Sequence, residues 1–485
     1  MAAGTDEQAK FAALLAERDA QLAARDEKIA ELEEQLATAV AAISRLTEQL
    51  GRNSTNSHLP PSSDGPGAAA RGVRPAKKKK KKSKRKRGGQ KGRRGAHRAL
   101  LPVERVDHII DLFPEACGGC ARDLPQIQES QPRRYQQLDL LKKGPRVTEW
   151  RRHEVTCTCG HRTRAPYDGA EIPASPFGPR LVAVVATLTG VYHLSRRRVQ
   201  LLLHEFFDID VSLGALSKME ARASKALEAA TAEAHDDVVA ALVKHTDATS
   251  WLLAGVTLSL WTLSTATTSL FRIFVDGRRK TIEKMFEDAF GRRFGILISD
   301  RASVFGFWAM ALRQICWAHL LRKFVSFSER DGPVGTLGRE LLDYASLVFE
   351  YWRGFETGKL SRDELKTWMA PVQKRFEDAL ERAVTSELSD CSGSCADILA
   401  HRAALWTFVD VPGVDPTNNL AERDLRALVI WRKTSFGSQS QRGLRFVERV
   451  MTVAHTLRKR GRDVLDFFER TVAAHSAGTS MPRLT

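Results

Sequence analysis

The stretch His245-Thr246-Asp247-Ala248-Thr249 marks a change of pattern along the chain. Beyond it, apolar residues alternate with Ser and Thr over residues 255–265 and again over 268–275. A period of two reads as β-strands, here joined by a Ser/Thr-rich turn. A helical piece over 281–290 follows, then the apolar run Phe294-Gly295-Ile296-Leu297-Ile298-Ser299, a short buried strand ended by Asp300. Carboxylates at two strand ends are what a site for hard divalent cations needs, because such ions take oxygen ligands. An Asp at a strand end also caps turns, and that reading explains either residue alone.

A third acid lies far downstream, in Asp415-Pro416-Thr417-Asn418-Asn419-Leu420-Ala421-Glu422-Arg423-Asp424-Leu425-Arg426. Asn419 with Glu422 three residues on matches a capping box, which would spend the glutamate on helix structure. The same spacing puts Glu422 on the first helical turn beside Arg423 and Arg426. Those two side chains suit phosphate contact, and their charge would keep a carboxylate ionised. Spacing alone leaves both readings open.

Upstream, Leu15, Leu22, Ile29, Leu36, Ile43 and Leu50 recur every seventh residue. The companion seam reads Phe11, Arg18, Arg25, Leu32, Ala39, Leu46. This repeat predicts a coiled-coil helix over residues 6–50 that pairs two chains; the other reading is an amphipathic helix packed on its own chain. Residues 51–101 are a linker, first rich in Ser, Pro and Gly, then basic. The basic run holds Lys77, Lys78, Lys79, Lys80, Lys81, Lys82, Lys84, Arg85, Lys86 and Arg87. Sixteen Lys and Arg fall in residues 71–98, against a net charge of +17 for all 485 residues, so the remainder is close to neutral. With no apolar pattern this segment is expected to be disordered alone. Phosphate binding fits it best, giving affinity without base readout; a solvated tail or an import signal is the bland alternative.

Residues 102–173 read as a small β-rich module with two cysteine pairs, Cys117 with Cys120 and Cys157 with Cys159. Two thiolate pairs fit a tetrahedral structural Zn²⁺ site, a zinc ribbon, with His161 or His153 able to replace one ligand. A redox pair or buried thiols would use the same residues. Residues 174–240 turn helical. Ser195 and Ser212 can each cap a helix, and the helix–short turn–helix length suits a helix-turn-helix that offers Arg196, Arg197 and Arg198 to phosphates. Ordinary antiparallel packing has the same signature.

Apolar residues make up 43% of the chain, enough for a sizeable core, which excludes a chain disordered throughout. Seven cysteines are too few for a disulfide-built scaffold. The N-terminus lacks the basic and apolar regions of a signal peptide, and the charge-free stretch over 251–271 is too rich in Ser and Thr for a membrane span. A soluble, intracellular protein with no membrane partner is expected.

The order and wording of four stretches go further. HTDAT at 245–249, SDRASVF at 299–305, CWAHLLRKF at 316–324 and NNLAERDLR at 418–426 resemble the IS66 family of insertion-sequence transposases. The heptad helix followed by LGRNSTNSHLPPSSDG, the GGQKG at 88–92, the CGGC and CTCGHRTRA stretches and the FGPRL at 177–181 are similar to successive parts of that family, so the resemblance covers nearly the whole chain. It implies a multidomain DDE transposase: an N-terminal coiled coil, a zinc-ribbon-like module, a helical region, then an α/β RNase H-like catalytic core over 241–475. A helical insertion at about 324–410 would interrupt that core; Cys391 and Cys395 within it read as incidental thiols.

The resemblance gives Asp247, Asp300 and Glu422 as the catalytic, metal-binding acids. Two Mg²⁺ (or Mn²⁺) about 3.5–4 Å apart, bridged by Asp247, would activate water and later a DNA 3′-hydroxyl for in-line displacement at phosphorus. The implied function is binding of terminal repeats with metal-dependent strand cleavage and strand transfer on double-stranded DNA. A homo-oligomer, companion proteins from the same element and a bacterial cytoplasmic, nucleoid-associated location go with it. The first motif commonly reads Asp-Glu-Thr in that family and is Asp247-Ala248-Thr249 here. On a strand Ala248 should point away from Asp247, which keeps the acid in place. A catalytically decayed DNA-binding protein derived from a transposase is the alternative, and a coiled-coil scaffold would leave the three acids unexplained.

Overall fold

The computed structural model describes residues 3–52, 56–57 and 100–485, except 117, 129, 131, 138–143, 160, 165–172, 174, 387 and 389–390. The basic run from Lys77 to Arg87, and Cys117, therefore lie outside the described residues. Two compact units are present: Met1–Val73 with Pro166–Gln200 and Val211–Thr485, and Arg74–Ala165 with Leu201–Asp210.

The first unit begins with one long helix, α1 (Ala3–Gly51). Its heptad residues Leu22, Ile29, Leu36 and Ile43 are exposed, as are Leu32 and Leu46. In the second unit β1 (Glu154–Thr156) pairs antiparallel with β2 (Arg162–Arg164). The helical region holds α2 (Pro179–Ala186), a π-helical turn at Thr187–Val191, α3 (Arg196–Phe207), α4 (Leu213–Ala226) and α5 (Glu228–Ala240). Ser212 caps α4, its hydroxyl accepting from Ala215 N at 3.1 Å.

The core of the first unit is a five-stranded sheet in the order β5-β4-β3-β6-β7. Its strands are β3 (Val243–Leu253), β4 (Val256–Ser264), β5 (Ser269–Phe274), β6 (Ile296–Ser299) and β7 (Arg313–Ile315). The first three form an antiparallel meander, whereas β6 runs parallel to β3 and β7 parallel to β6. The Ser/Thr-rich stretch over 251–271 supplies the end of β3, then β4 and the start of β5, and among the described residues no helix is long and apolar enough to cross a membrane.

Between β5 and β6 the expected helix over 281–290 is cut short, giving only α6 (Arg279–Ile282) and a 3-10 turn at Glu283–Phe286. Asp288 ends it: its carboxylate accepts from Phe290 N and Arg292 N, fixing a tight loop where the helix would have continued. This segment packs Ile282, Met285 and Phe286 with Trp261, Leu263, Leu270 and Leu297 into one apolar layer of the sheet. After β7 come α7 (Trp317–Ser328), α8 (Gly332–Glu356), α9 (Arg362–Thr385), α10 (Ser392–Ala400) and α11 (Thr407–Asp410). Their buried residues form a second core with Ile296, Ile298 and Ile315, and both Cys391 and Cys395 are buried in it.

The chain then returns to the sheet as α12 (Asn419–Ser435), α13 (Gln441–Lys459) and α14 (Val464–Ala477). Helix α13 closes the open edge at β5. Ser269 N, Phe271 N and Ile273 N donate to Thr456 Oγ1, Thr452 Oγ1 and Glu448 Oε1, at 3.2, 3.0 and 2.6 Å. Acceptors spaced four apart on a helix thus meet donors spaced two apart on a strand, and these edge N–H groups are not offered to another chain.

Candidate active site

Asp247 and Asp300 are brought side by side by strand register. Val243, Lys244 and His245 pair with Ile296, Leu297 and Ile298 along the parallel β3–β6 ladder. Two residues beyond the last pair come Asp247 and Asp300, level with each other across the two strands. Asp300 directly follows the end of β6 as expected, whereas Asp247 lies within β3, which continues to Leu253 because it goes on pairing with β4. Burial pushes the Asp247 carboxyl up to about 7, and the charges of Glu422 and Asp300 push the same way. The Ala248 N–H, which donates to Asp247 Oδ1 at 2.9 Å, and the Arg322 charge oppose them. Asp300 also shapes its own turn, accepting from Ala302 N at 3.0 Å. Its main-chain oxygen takes a bond from the buried Arg313 at 2.9 Å, which fixes the strand end.

Glu422 arrives from α12, and the capping box expected of Asn419 and Glu422 is not formed. The cap residue is Asn418, with no side-chain cap bond. Its amide instead donates to Thr246 O on β3 at 2.6 Å. Glu422 is joined to the cap only through its main-chain N–H, which donates to Asn418 O at 3.2 Å. The carboxylate is thereby left available, and its buried Oε1 has no hydrogen-bond partner. The nearby cations also differ from expectation. Arg322 of α7 stands 3.9 Å from Glu422 Oε2, and His319 Nε2 stands 4.0 Å from Oε1. Arg423 and Arg426 are exposed, with the Arg423 guanidinium donating to Asn419 O.

Three residues at the start of α7 are thus more central than their spacing in sequence suggests: Cys316, His319 and Arg322, three apart and so on one helical face. Two of them meet the third acid through their donor atoms, since Cys316, His319 and Glu422 form the group of metal-ligating atoms that lies within 4.8 Å among the described residues. Asp247 and Asp300 are not members of that group.

On the other side of α12, Asp424 is buried and accepts from Ser264 Oγ at 2.6 Å, Ser269 Oγ at 2.7 Å and Lys459 Nζ at 2.7 Å. Burial works to raise its pKa, but His455, Lys459 and Ser264 outweigh that and hold it well below the carboxylate range. This network ties α12 to β4, β5 and α13, two residues from Glu422. Its sequence signal is weak, a lone Asp among charged helical residues.

The remaining predicted residues are spread out. Arg196 is in an ion pair with Glu220 at 2.5 Å, whereas Arg197 and Arg198 are exposed on the same helix. In the second unit Cys120, Cys157 and Cys159 are exposed free thiols. An isolated antiparallel bridge joins Ala116 with Asp123, which flank the first cysteine pair in sequence. The β1–β2 hairpin brackets the second, with Cys157 N donating to His161 O at 2.8 Å. Hydrogen bonds from Cys159 hold the Cys157 thiol below its ordinary value.

A profile of the Transposase IS66 family matches residues 174–446, and one described as a family of unknown function (DUF6444) matches residues 6–99. The chain is also similar to Uncharacterized protein y4qI of Sinorhizobium fredii, 26% identical over 172 residues. That match spans 34% of this chain and 31% of the relative, so the two are compared over about a third of their lengths. The IS66 match takes in Asp247, Asp300, the Cys316-to-Arg322 face and the start of α12, and it extends over more than half of the sequence. The chain belongs to the IS66 family of transposases.

Proposed function

We propose that the chain is a DDE-type transposase that binds the ends of its element and carries out metal-dependent strand cleavage and strand transfer, with Asp247, Asp300 and Glu422 as its catalytic acids. The observation that carries this reading is the parallel β3–β6 register, which sets Asp247 level with Asp300 on adjacent strands. Burial raises the Asp247 carboxyl, the charges of Glu422 from α12 and Asp300 after β6 raise it further, and like charges held together this way are relieved by a divalent cation. The unpartnered Glu422 Oε1 supports the same assignment. Three oxygen donors fit Mg²⁺ or Mn²⁺, which would lower the pKa of an attacking water or 3′-hydroxyl and stabilise the leaving oxygen. The protein's own part is to hold the three acids from β3, β6 and α12, and to set Arg322 against Glu422. The order β5-β4-β3-β6-β7, an antiparallel meander continued by two parallel strands, favours an RNase H-like core with α8 to α11 as its helical insertion.

The other parts would serve DNA. The basic run from Lys77 to Arg87 would bind phosphates, as would Arg197, Arg198, Arg423 and Arg426, while Arg196 would first have to leave Glu220. Cys117, Cys120, Cys157 and Cys159 would hold structural Zn²⁺ between two knuckles, and α1 would pair two copies. A decayed, DNA-holding relic is less favoured. Ala248 packs toward the apolar layer of Trp261 and Phe286, so its departure from the family pattern falls on the face away from Asp247. The test is purified protein with terminal-repeat DNA and Mg²⁺. Nicking and strand transfer should appear with wild type and vanish in Asp247→Ala; equal, background-level products from both would end the enzyme reading.

A further inference from the structure

We propose that Cys316, His319 and Glu422 form a binding site for a soft divalent cation of the Zn²⁺ class, distinct in donor chemistry from the oxygen-only set of Asp247 and Asp300. The sulfur is held in place by backbone on both sides. Cys316 N donates to Ser299 O at 2.9 Å, and Trp317 N donates to Pro416 O at 2.9 Å. His319 follows three residues on in the first turn of α7, its N–H donating to Cys316 O at 3.2 Å, so both ligands share a helix face. Glu422 closes the set from α12, with Oε1 4.0 Å from His319 Nε2 and all three donor atoms within 4.8 Å of one another. A tetrahedral Zn²⁺ places its donors about 3.3–3.8 Å apart, so side-chain adjustments of roughly an ångström complete the set, with water as a fourth ligand.

Three further observations point to a ligand here. Glu422 Oε1 is buried without a hydrogen-bond partner, while Arg322 stands nearer the other oxygen. Asn418 N donates to Cys316 Sγ at 3.1 Å, the kind of bond that steadies a thiolate bound to metal. The donor set is also selective: sulfur, imidazole and carboxylate together suit Zn²⁺ and are poor for Mg²⁺, which demands oxygen. The Arg322 charge opposes any cation here, which argues for an affinity below that of a closed structural site. Cys316 is wholly buried, so entry is past the partly exposed Glu422 side chain.

Glu422 is common to this site and to the proposed catalytic set, so an ion held by Cys316 and His319 would draw it from Asp247 and Asp300. That inhibitory consequence rests on the transposase reading; metal uptake does not. The experiment uses the full chain stripped with a chelator and titrated with Co²⁺, whose thiolate complexes absorb by charge transfer. Comparison with Cys316→Ser and His319→Gln separates this site from the cysteine module, which both variants retain. Each variant should take up one Co²⁺ fewer than wild type, or bind that ion more than about 100-fold more weakly, and Cys316→Ser should lose its share of the charge-transfer band. Should Cys316→Ser lose its cooperative melting transition, the uptake measured with His319→Gln decides. Wild-type stoichiometry, affinity and spectrum in the folded variants would overturn the site. DNA cleavage by the chelator-stripped protein supplied with Mg²⁺ alone reports on the catalytic reading.

Discussion

The side-chain amide of Asn418 donates to the main-chain oxygen of Thr246 at 2.6 Å, fastening the start of α12 to the strand that carries Asp247. The two residues are 172 apart in sequence and both are buried. Glu422 sits one helical turn beyond Asn418, so this bond sets where the third acid stands relative to the first. Asn418→Ala should cost about 1–3 kcal/mol of stability through the lost buried hydrogen bond. It should lower strand cleavage by more than its effect on melting explains, roughly 10- to 100-fold for an ångström-scale shift of a catalytic group. Cleavage rate and thermal melting measured on one preparation check both; unchanged cleavage in a folded variant would separate Asn418 from Glu422 positioning.

Asp247 provides a pH signature. Its folded pKa, about 7, lies above its ordinary value, so the folded state prefers the protonated acid. The corresponding stabilisation is complete below about pH 4 and is lost as pH rises through 7. Metal-free protein should therefore melt at lower temperature at pH 8 than at pH 5.5 through this group, and Asp247→Asn should remove that part of the loss. Between those pH values the full shift corresponds to about 2 kcal/mol, and the partial exposure of Asp247 brings the effect to about 1 kcal/mol. Divalent cation competes with the proton, so cleavage at limiting Mg²⁺ should rise through neutral pH, its midpoint moving to lower pH as Mg²⁺ increases. A midpoint indifferent to Mg²⁺ would count against Asp247 as a ligand.

Asp424 carries a structural prediction. Asp424→Ala leaves Lys459 buried beside Ser264 and Ser269 with no carboxylate, a loss of about 3–5 kcal/mol for one broken partner of a buried pair. Because its pKa is depressed, the stabilisation is present above the ordinary carboxylate range and disappears as pH falls through the folded value. Denaturant melts of wild type and variant should therefore differ most near neutrality and converge in strong acid. A constant difference across pH would assign the loss to packing instead.

The strands β4 and β5 are legible in the sequence because apolar residues alternate with Ser and Thr, yet burial does not follow that alternation. Leu260 to Ser264 and Ser269 to Phe271 are all buried, and hydroxyls such as those of Thr262, Ser264 and Ser269 are taken up in hydrogen bonds. The acids at 247, 300 and 422 also come forward from sequence, but each has a structural explanation of its own. What joins them is tertiary. Strand register sets Asp247 beside Asp300, and no local pattern encodes that Asn418 would spend its side chain on Thr246 rather than on a helix cap. The three-residue spacing of Cys316, His319 and Arg322 is visible in CWAHLLR, yet spacing shows only that they share a face, not that α12 lies opposite it. Likewise the helix expected over 281–290 fails because Asp288 finds Phe290 and Arg292 amides, a local competition that propensity summed over ten residues averages away.

Helix α1 offers a direct test of pairing between copies. Leu22, Ile29 and Leu36 are 49%, 52% and 64% exposed although they repeat every seventh residue, and Arg18 and Arg25 occupy the companion seam. A seam that is apolar at one position and charged at the other should support a dimer of modest stability. Sedimentation should find dimers in wild type that dissociate on dilution, and monomers when Leu22, Ile29 and Leu36 are replaced by Ser. A wild-type monomer at all concentrations would return α1 to a helix without a partner.

The basic run should divide DNA affinity from chemistry. Each phosphate neutralised releases counterions and adds about 0.9 to the slope of log affinity against log salt. Removing residues 77–87 takes away ten cationic side chains. Were only half of them in contact with phosphates at once, the slope would fall by roughly 4 to 5, and affinity at low salt by several orders of magnitude. Discrimination between terminal-repeat and random DNA should survive, because phosphate contacts position the protein without reading bases. Asp247, Asp300 and Glu422 lie in the near-neutral remainder, so Mg²⁺-dependent protection of the core against proteolysis should be unchanged by the deletion. Loss of that protection together with DNA affinity would contradict the separation of anchoring from catalysis; an unchanged salt slope would assign the phosphate contacts to the exposed arginines of α3 and α12 instead.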